Sequence, residues 1–241
     1  MFGLIVQNML SQATKAGAGK DPARGSSWLF CLGKARKGLM HISEGVLSAP
    51  VLISGAVIAA GGVGIGVKKL DYDRIPQVAV LSSAFFVASL VHVPIGPSSV
   101  HLILNGLLGL LLGWTAFPAI VIALFLQAVL FQFGGLTTLG VNTVTMALPA
   151  VLCYLVFRRA VMSEQSKVSM VSSFCCGAGA VFLAGILVAL ALMSTGKSFS
   201  AAAKLIVVAH LPVMAIEGII TMLCVKFLKK VKPEVLEVTH G

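Results

Sequence analysis

Apolar residues along the chain gather into successive blocks, most of them long enough to cross a bilayer core, which needs about 20 per helix. Short polar or basic breaks divide them. The blocks run from Gly45 to Val67, Ile75 to His92, Ser99 to Gly113, past Trp114 to Pro118 as far as Phe133, Val144 to Phe157, Val168 to Met193 and Leu205 to Phe227. They predict an all-α integral membrane protein, a bundle of about seven transmembrane helices. The third block is short enough to be partly re-entrant.

Composition agrees: 58% of the 241 residues are hydrophobic and only 11% are charged. That balance excludes a disordered chain, a disulfide scaffold and a nucleic-acid module, because the +10 net charge sits in short runs between apolar blocks. Basic residues of short loops stay cytoplasmic. With residue 45 outside, inner loops collect Lys68, Lys69, Arg74, Arg158, Arg159, Lys167, Lys226, Lys229, Lys230 and Lys232, and outer loops only Lys197 and Lys204. The predicted protein is therefore a multi-pass protein of the cell membrane with a cytoplasmic C-terminus and a polar tail at 236–241. The first helix start, the turn from His92 to His101 and the segment Gly134 to Thr143 face outward.

Residues 1–39 conflict with this topology. They carry six basic side chains against Asp21 alone, and they resemble no signal peptide: the stretch Ser27 to Leu32 is shorter than an h-region and is followed by charges. The expectation is that translation begins at Met40, so that this basic extension is a misassigned start or is absent from the mature protein. A retained tail with inverted topology is the alternative.

A chain beginning Met40-His41 has a chemical consequence. The free α-amine of Met40, the amide nitrogen of His41 and the His41 imidazole close fused chelate rings around one ion. Such a planar nitrogen set suits Ni(II) or Cu(II), and takes Co(II) at lower intrinsic affinity. These nitrogens must shed protons, so capture weakens as pH falls below the amine pKa of about 8. The fourth nitrogen is assigned to His101, because a histidine within the bilayer is costly and functional by default; the plainer alternative is a histidine bonded to a helix carbonyl. Asn105, one helical turn on, is expected to orient the imidazole. Ser98 and Ser99 serve as helix caps or as support.

Gly134 to Thr143 is too rich in glycine and threonine for a lipid-facing helix. It is expected to be a loop over the substrate pocket, with Thr137, Thr138 and Asn142 supporting the metal loop, or else an ordinary outer turn. His92 suits the membrane edge. His210 and Glu217 lie seven residues apart and share a helix face, as a proton or cation site or as a packing contact with a partner subunit. The five cysteines, mostly inside apolar runs, are structural. No nucleotide-binding G-x-x-x-x-G-K-[ST] occurs, nor H-E-x-x-H, G-x-S-x-G or paired catalytic carboxylates, so an enzyme is not expected.

The start Met40-His41-Ile42-Ser43-Glu44-Gly45, the block Ser98 to Gly106, the segment Gly134 to Thr143 and the end His210 to Gly218 together resemble the CbiM/NikM family, the substrate-capture subunits of energy-coupling-factor transporters for cobalt and nickel. The similarity covers about residues 40–235. It implies a bundle of about seven helices whose N-terminal loop inserts among them and binds the ion through Met40, His41 and His101. It also implies a transmembrane coupling subunit, two ATPase subunits and often a small accessory membrane protein. Residues 1–39 depart from the family pattern.

The expected function is capture of Co(II) or Ni(II) as substrate, with no tightly bound cofactor and with ATP hydrolysed by the partners. Square nitrogen chemistry leans to nickel, and the family's commoner name to cobalt. A stand-alone proton-coupled carrier using His210 and Glu217 is the alternative.

Overall fold

The computed structural model of the chain describes residues 42, 44–90, 92–95, 98–195 and 200–236, with the backbone alone for 92–95, 98–101 and 200–209. The helices are α1 (Ala49–Lys68), α2 (Ile75–Leu90), α3 (Asn105–Leu112), α4 (Ala116–Phe131), α5 (Leu139–Val161), α6 (Ser166–Thr195) and α7 (Ser200–Val231). Between α2 and α3 lies an antiparallel hairpin of β1 (His92–Ile95) and β2 (Ser98–His101), which pairs His92 with His101. Among the described residues, five stretches are long and apolar enough to cross a membrane. One of them joins α3 to α4 across a 3-10 turn at Gly113–Thr115.

That joint is a reversal. Along α3, Asn105 reaches Met146 O, Gly109 abuts Ala150 and Gly113 abuts Tyr154, so α3 runs parallel to α5. On α4 the order is opposite. Phe117 meets Gly62 and Pro118 meets Gly66, near the Lys68 end of α1, and the helix then returns to the end where Gly55 abuts Val141. Gly113 permits the turn with φ +55, a region that side chains resist. The third apolar block is thus a hairpin strand followed by a helix of eight residues, about 12 Å long, that begins partway down the bundle.

Helix packing follows from small residues. The buried positions of α1 are Gly55, Ala59, Gly62 and Gly66, one stripe at helical spacing, while Ile53, Val57, Ile58 and Val67 point outward, half exposed or more. Without a hydrophobic drive between helices in lipid, close backbone approach supplies the contact. A Cβ at Gly140 would stand 2.6 Å from Ala56 Cα, and one at Gly106 would stand 2.7 Å from Gly177 Cα. Leu107 to Leu112, Phe117, Ile120, Met146, Val151 and Val181 fill the centre.

The bundle has two chemically different ends. At one, Ser48 N donates to Thr195 Oγ1 at 3.4 Å and Glu44 N to Gly134 O at 3.2 Å. At the other, Lys229 Nζ donates to Ser163 O at 2.7 Å and Arg158 stacks over Tyr154 with its guanidinium carbon 5.4 Å from the ring centre. Two expectations need correction. Ser98 to His101 is strand rather than helix, and the loop expected over Gly134 to Thr143 ends at Thr138, because α5 starts at Leu139, where Gly140 packs against α1.

Candidate metal centre

The first described residue, Ile42, is held from both sides. Its N–H donates to Asn142 Oδ1 at 3.2 Å, and its carbonyl accepts from Asn142 Nδ2 at 3.3 Å. Asn142 thus pairs with the backbone of residue 42 as a strand neighbour would. The first turn of α5 aims it: Asn142 N donates to Thr138 O at 2.9 Å, and its Nδ2 also donates to Thr138 Oγ1 at 3.3 Å. Thr138 is fixed in turn by donation to Gly135 O at 3.2 Å. Asn142, Thr138 and Ile42 are all buried, and Ile42 packs with Leu47, Val141, Val188 and Leu192.

A second anchor follows two residues on. Glu44 Oε1 accepts from Thr137 N at 3.2 Å and Thr137 Oγ1 at 3.3 Å, while Glu44 N reaches Gly134 O. Gly135, at φ +144, has no side chain where the Glu44 side chain lies, and a Cβ there would collide with it. Ile42 is therefore docked on the first turn of α5, and Glu44 on the α4–α5 connection, by side-chain and backbone bonds. Sequence reasoning named Thr137, Thr138 and Asn142 and left out Glu44. The signal was present: Glu44 is the one acid between residues 22 and 70.

The second group surrounds the start of α3. Asn105 is fully buried, and its Nδ2 donates to Met146 O at 3.4 Å and Ala180 O at 3.5 Å. Its Oδ1 has no hydrogen-bond partner among the described residues. Glu217, fully buried on α7, accepts from Ile103 N and, at 2.9 and 3.0 Å, from Leu104 N. This carboxyl group binds the backbone of its own chain. His210 is also buried on α7, beside Gly185.

Met40 and His41 lie outside the described residues. For His101 and Ser99 the structure gives the backbone, both in β2. Among the described residues no group of three or more His, Cys, Asp or Glu side chains stands ready to hold an ion.

Comparison with known proteins decides the family. A model described as the cobalt uptake substrate-specific transmembrane region, CbiM, matches residues 41–235. The chain belongs to the CbiM family. A protein of Haemophilus influenzae named for metal transport is 43% identical over 204 residues, covering 84% of this chain and 99% of its own length. The fused nickel transport protein NikMN of Rhodobacter capsulatus is 38% identical over 117 residues, covering 45% of this chain and 33% of that one. A crystal structure of a truncated transition metal transporter superposes with TM-score 0.66 at 26% identity, covering 79% of this chain and 99% of the other. This CbiM-family chain is thus a multi-pass membrane transport protein, and its relatives are named for transport rather than catalysis.

Proposed function

We propose that the chain is the ion-capture subunit of an energy-coupled importer for Co(II) or Ni(II). With Met40 as first residue, the ion is held by the Met40 amine, the His41 amide and imidazole nitrogens and the His101 imidazole. The observation that carries this reading is the two-sided grip of Asn142 on Ile42, which anchors the residue next to His41 between α1, α5 and α6. The unpartnered Oδ1 of Asn105, at the start of α3 and four residues beyond His101 rather than one helical turn from it, supplies an acceptor for the second imidazole nitrogen, the usual way in which a ligating histidine is oriented. The ion is the substrate.

The docked end of the bundle is the outer face, because the opposite end carries Lys68, Arg158 and Lys229, as basic loops of the cytoplasmic side do. Ion release inward requires lower affinity in the inward state. A coupling subunit, two ATPases and a small accessory membrane protein provide that change. Against the proton-carrier alternative stands Glu217, whose carboxyl oxygens are engaged by two backbone amides.

Titration of Ni(II) and Co(II) into the purified protein tests the ligand set. His41→Ala and His101→Ala should each weaken binding by more than the roughly 10- to 100-fold typical of supporting residues. Unchanged binding in either variant removes that histidine from the centre.

A further inference from the structure

Resting on that metal centre, we propose that Glu217 is the positioning residue for the fourth nitrogen ligand: its carboxyl group fixes the backbone just beyond His101 and so sets where that imidazole stands.

The need for such a group follows from depth. β2 ends at His101 and α3 begins at Asn105, level with Met146 and Ala180, which lie well inside α5 and α6. Residues 102–104 are therefore irregular backbone inside the bundle. Such backbone survives at membrane depth only where protein or water satisfies its polar groups. Leu104 also stands at φ +53, uncommon for a residue with a side chain. The amides of Ile103 and Leu104 precede the first helical turn and have no helix carbonyl to reach.

Glu217 answers both amides from 113 residues away on α7. A carboxyl group at the start of α3 also lies at the positive end of that helix. The backbone that carries Glu217 is itself closely packed. Gly177 lets α6 come so close that a Cβ there would stand 2.7 Å from Glu217 O, and Gly218 does the same for Phe174 O at 3.0 Å. Leu102 alone separates His101 from the first tethered amide. A shift of that amide therefore moves His101, whereas Ile42 and its anchors on α5 are untouched.

Two measurements on the full chain test the role separately from the metal centre. In metal-free protein, hydrogen–deuterium exchange of peptides covering residues 98–106 should accelerate in Glu217→Ala, while peptides covering 143–151 on α5 keep wild-type protection. In Ni(II) titrations the same variant should bind about 100-fold more weakly, with a shifted ligand-field band, and Glu217→Gln about tenfold more weakly. The glutamine retains one acceptor oxygen at the same length but presents a donor to the Leu104 N–H. Unchanged exchange at 98–106, or wild-type Ni(II) affinity and spectrum in Glu217→Ala, overturns the positioning role. Equal loss in the two variants overturns it as well. A wild-type chain that binds neither Ni(II) nor Co(II) overturns the metal centre itself, and the exchange arm still reports whether the tether exists.

Discussion

Asn142 does at residue scale what a neighbouring strand does in a sheet, offering an acceptor and a donor to one backbone unit. Removing both at a buried site leaves the Ile42 N–H and C=O unpaired, each costing about 1–3 kcal/mol. Asn142→Ala should therefore weaken Ni(II) binding about 10- to 100-fold, as loss of an outer support does. Calorimetric titration checks this, and a wild-type dissociation constant would detach Asn142 from the site. The residue was legible in the sequence because an asparagine among glycines and threonines has no reason to face lipid. Its partner was not legible. A side chain that binds a backbone unit 100 residues away leaves no mark on the spacing of either segment, and the same holds for Glu217, whose helical position shows a buried acid but not the amides it meets.

At the scale of elements, helix positions could be read from block length, while their ends depended on contacts. Strand β2 and the short α3 read as one apolar run because Val100, Leu102 and Ile103 are as apolar as any helix, while the reversal at Gly113 falls beside the break read from Trp114 to Pro118. The early start of α5 is likewise tertiary: Gly140 admits Ala56 and so belongs to the packed helix. Glycine packing yields a paired prediction. A Cβ at Gly109 would collide with the Ala150 carbonyl, a backbone atom that cannot swing away, whereas Gly61 on α1 has open space. Gly109→Ala should destabilise the protein by about 1–3 kcal/mol, the usual cost of overpacking. Gly61→Ala should be neutral or stabilising by up to about 1 kcal/mol, since alanine loses less entropy in a helix. Thermal unfolding in detergent compares the two, and equal behaviour would contradict the close approach of α3 to α5.

For the whole molecule, charge and hydropathy made the membrane class and the basic end legible, and the ends of the bundle separate as the loop charges suggest. Removing residues 1–39 takes away six basic residues and one acidic one, leaving a net charge of +5 over 202 residues. Half of the excess charge therefore belongs to the segment whose presence would convert the Met40 amine into a peptide nitrogen. The proposed ligand set depends on that single covalent feature. The most direct measurement is calorimetric titration of Ni(II) into two chains that both begin at Met40, one with its α-amine free and one with it acetylated, across pH 6 to 8. The account predicts one tight site in the first chain, strengthening at least about tenfold per pH unit up to the amine pKa near 8 as the displaced protons become easier to remove, and loss of that site in the second. Equal affinity and equal pH dependence in the two chains would contradict it.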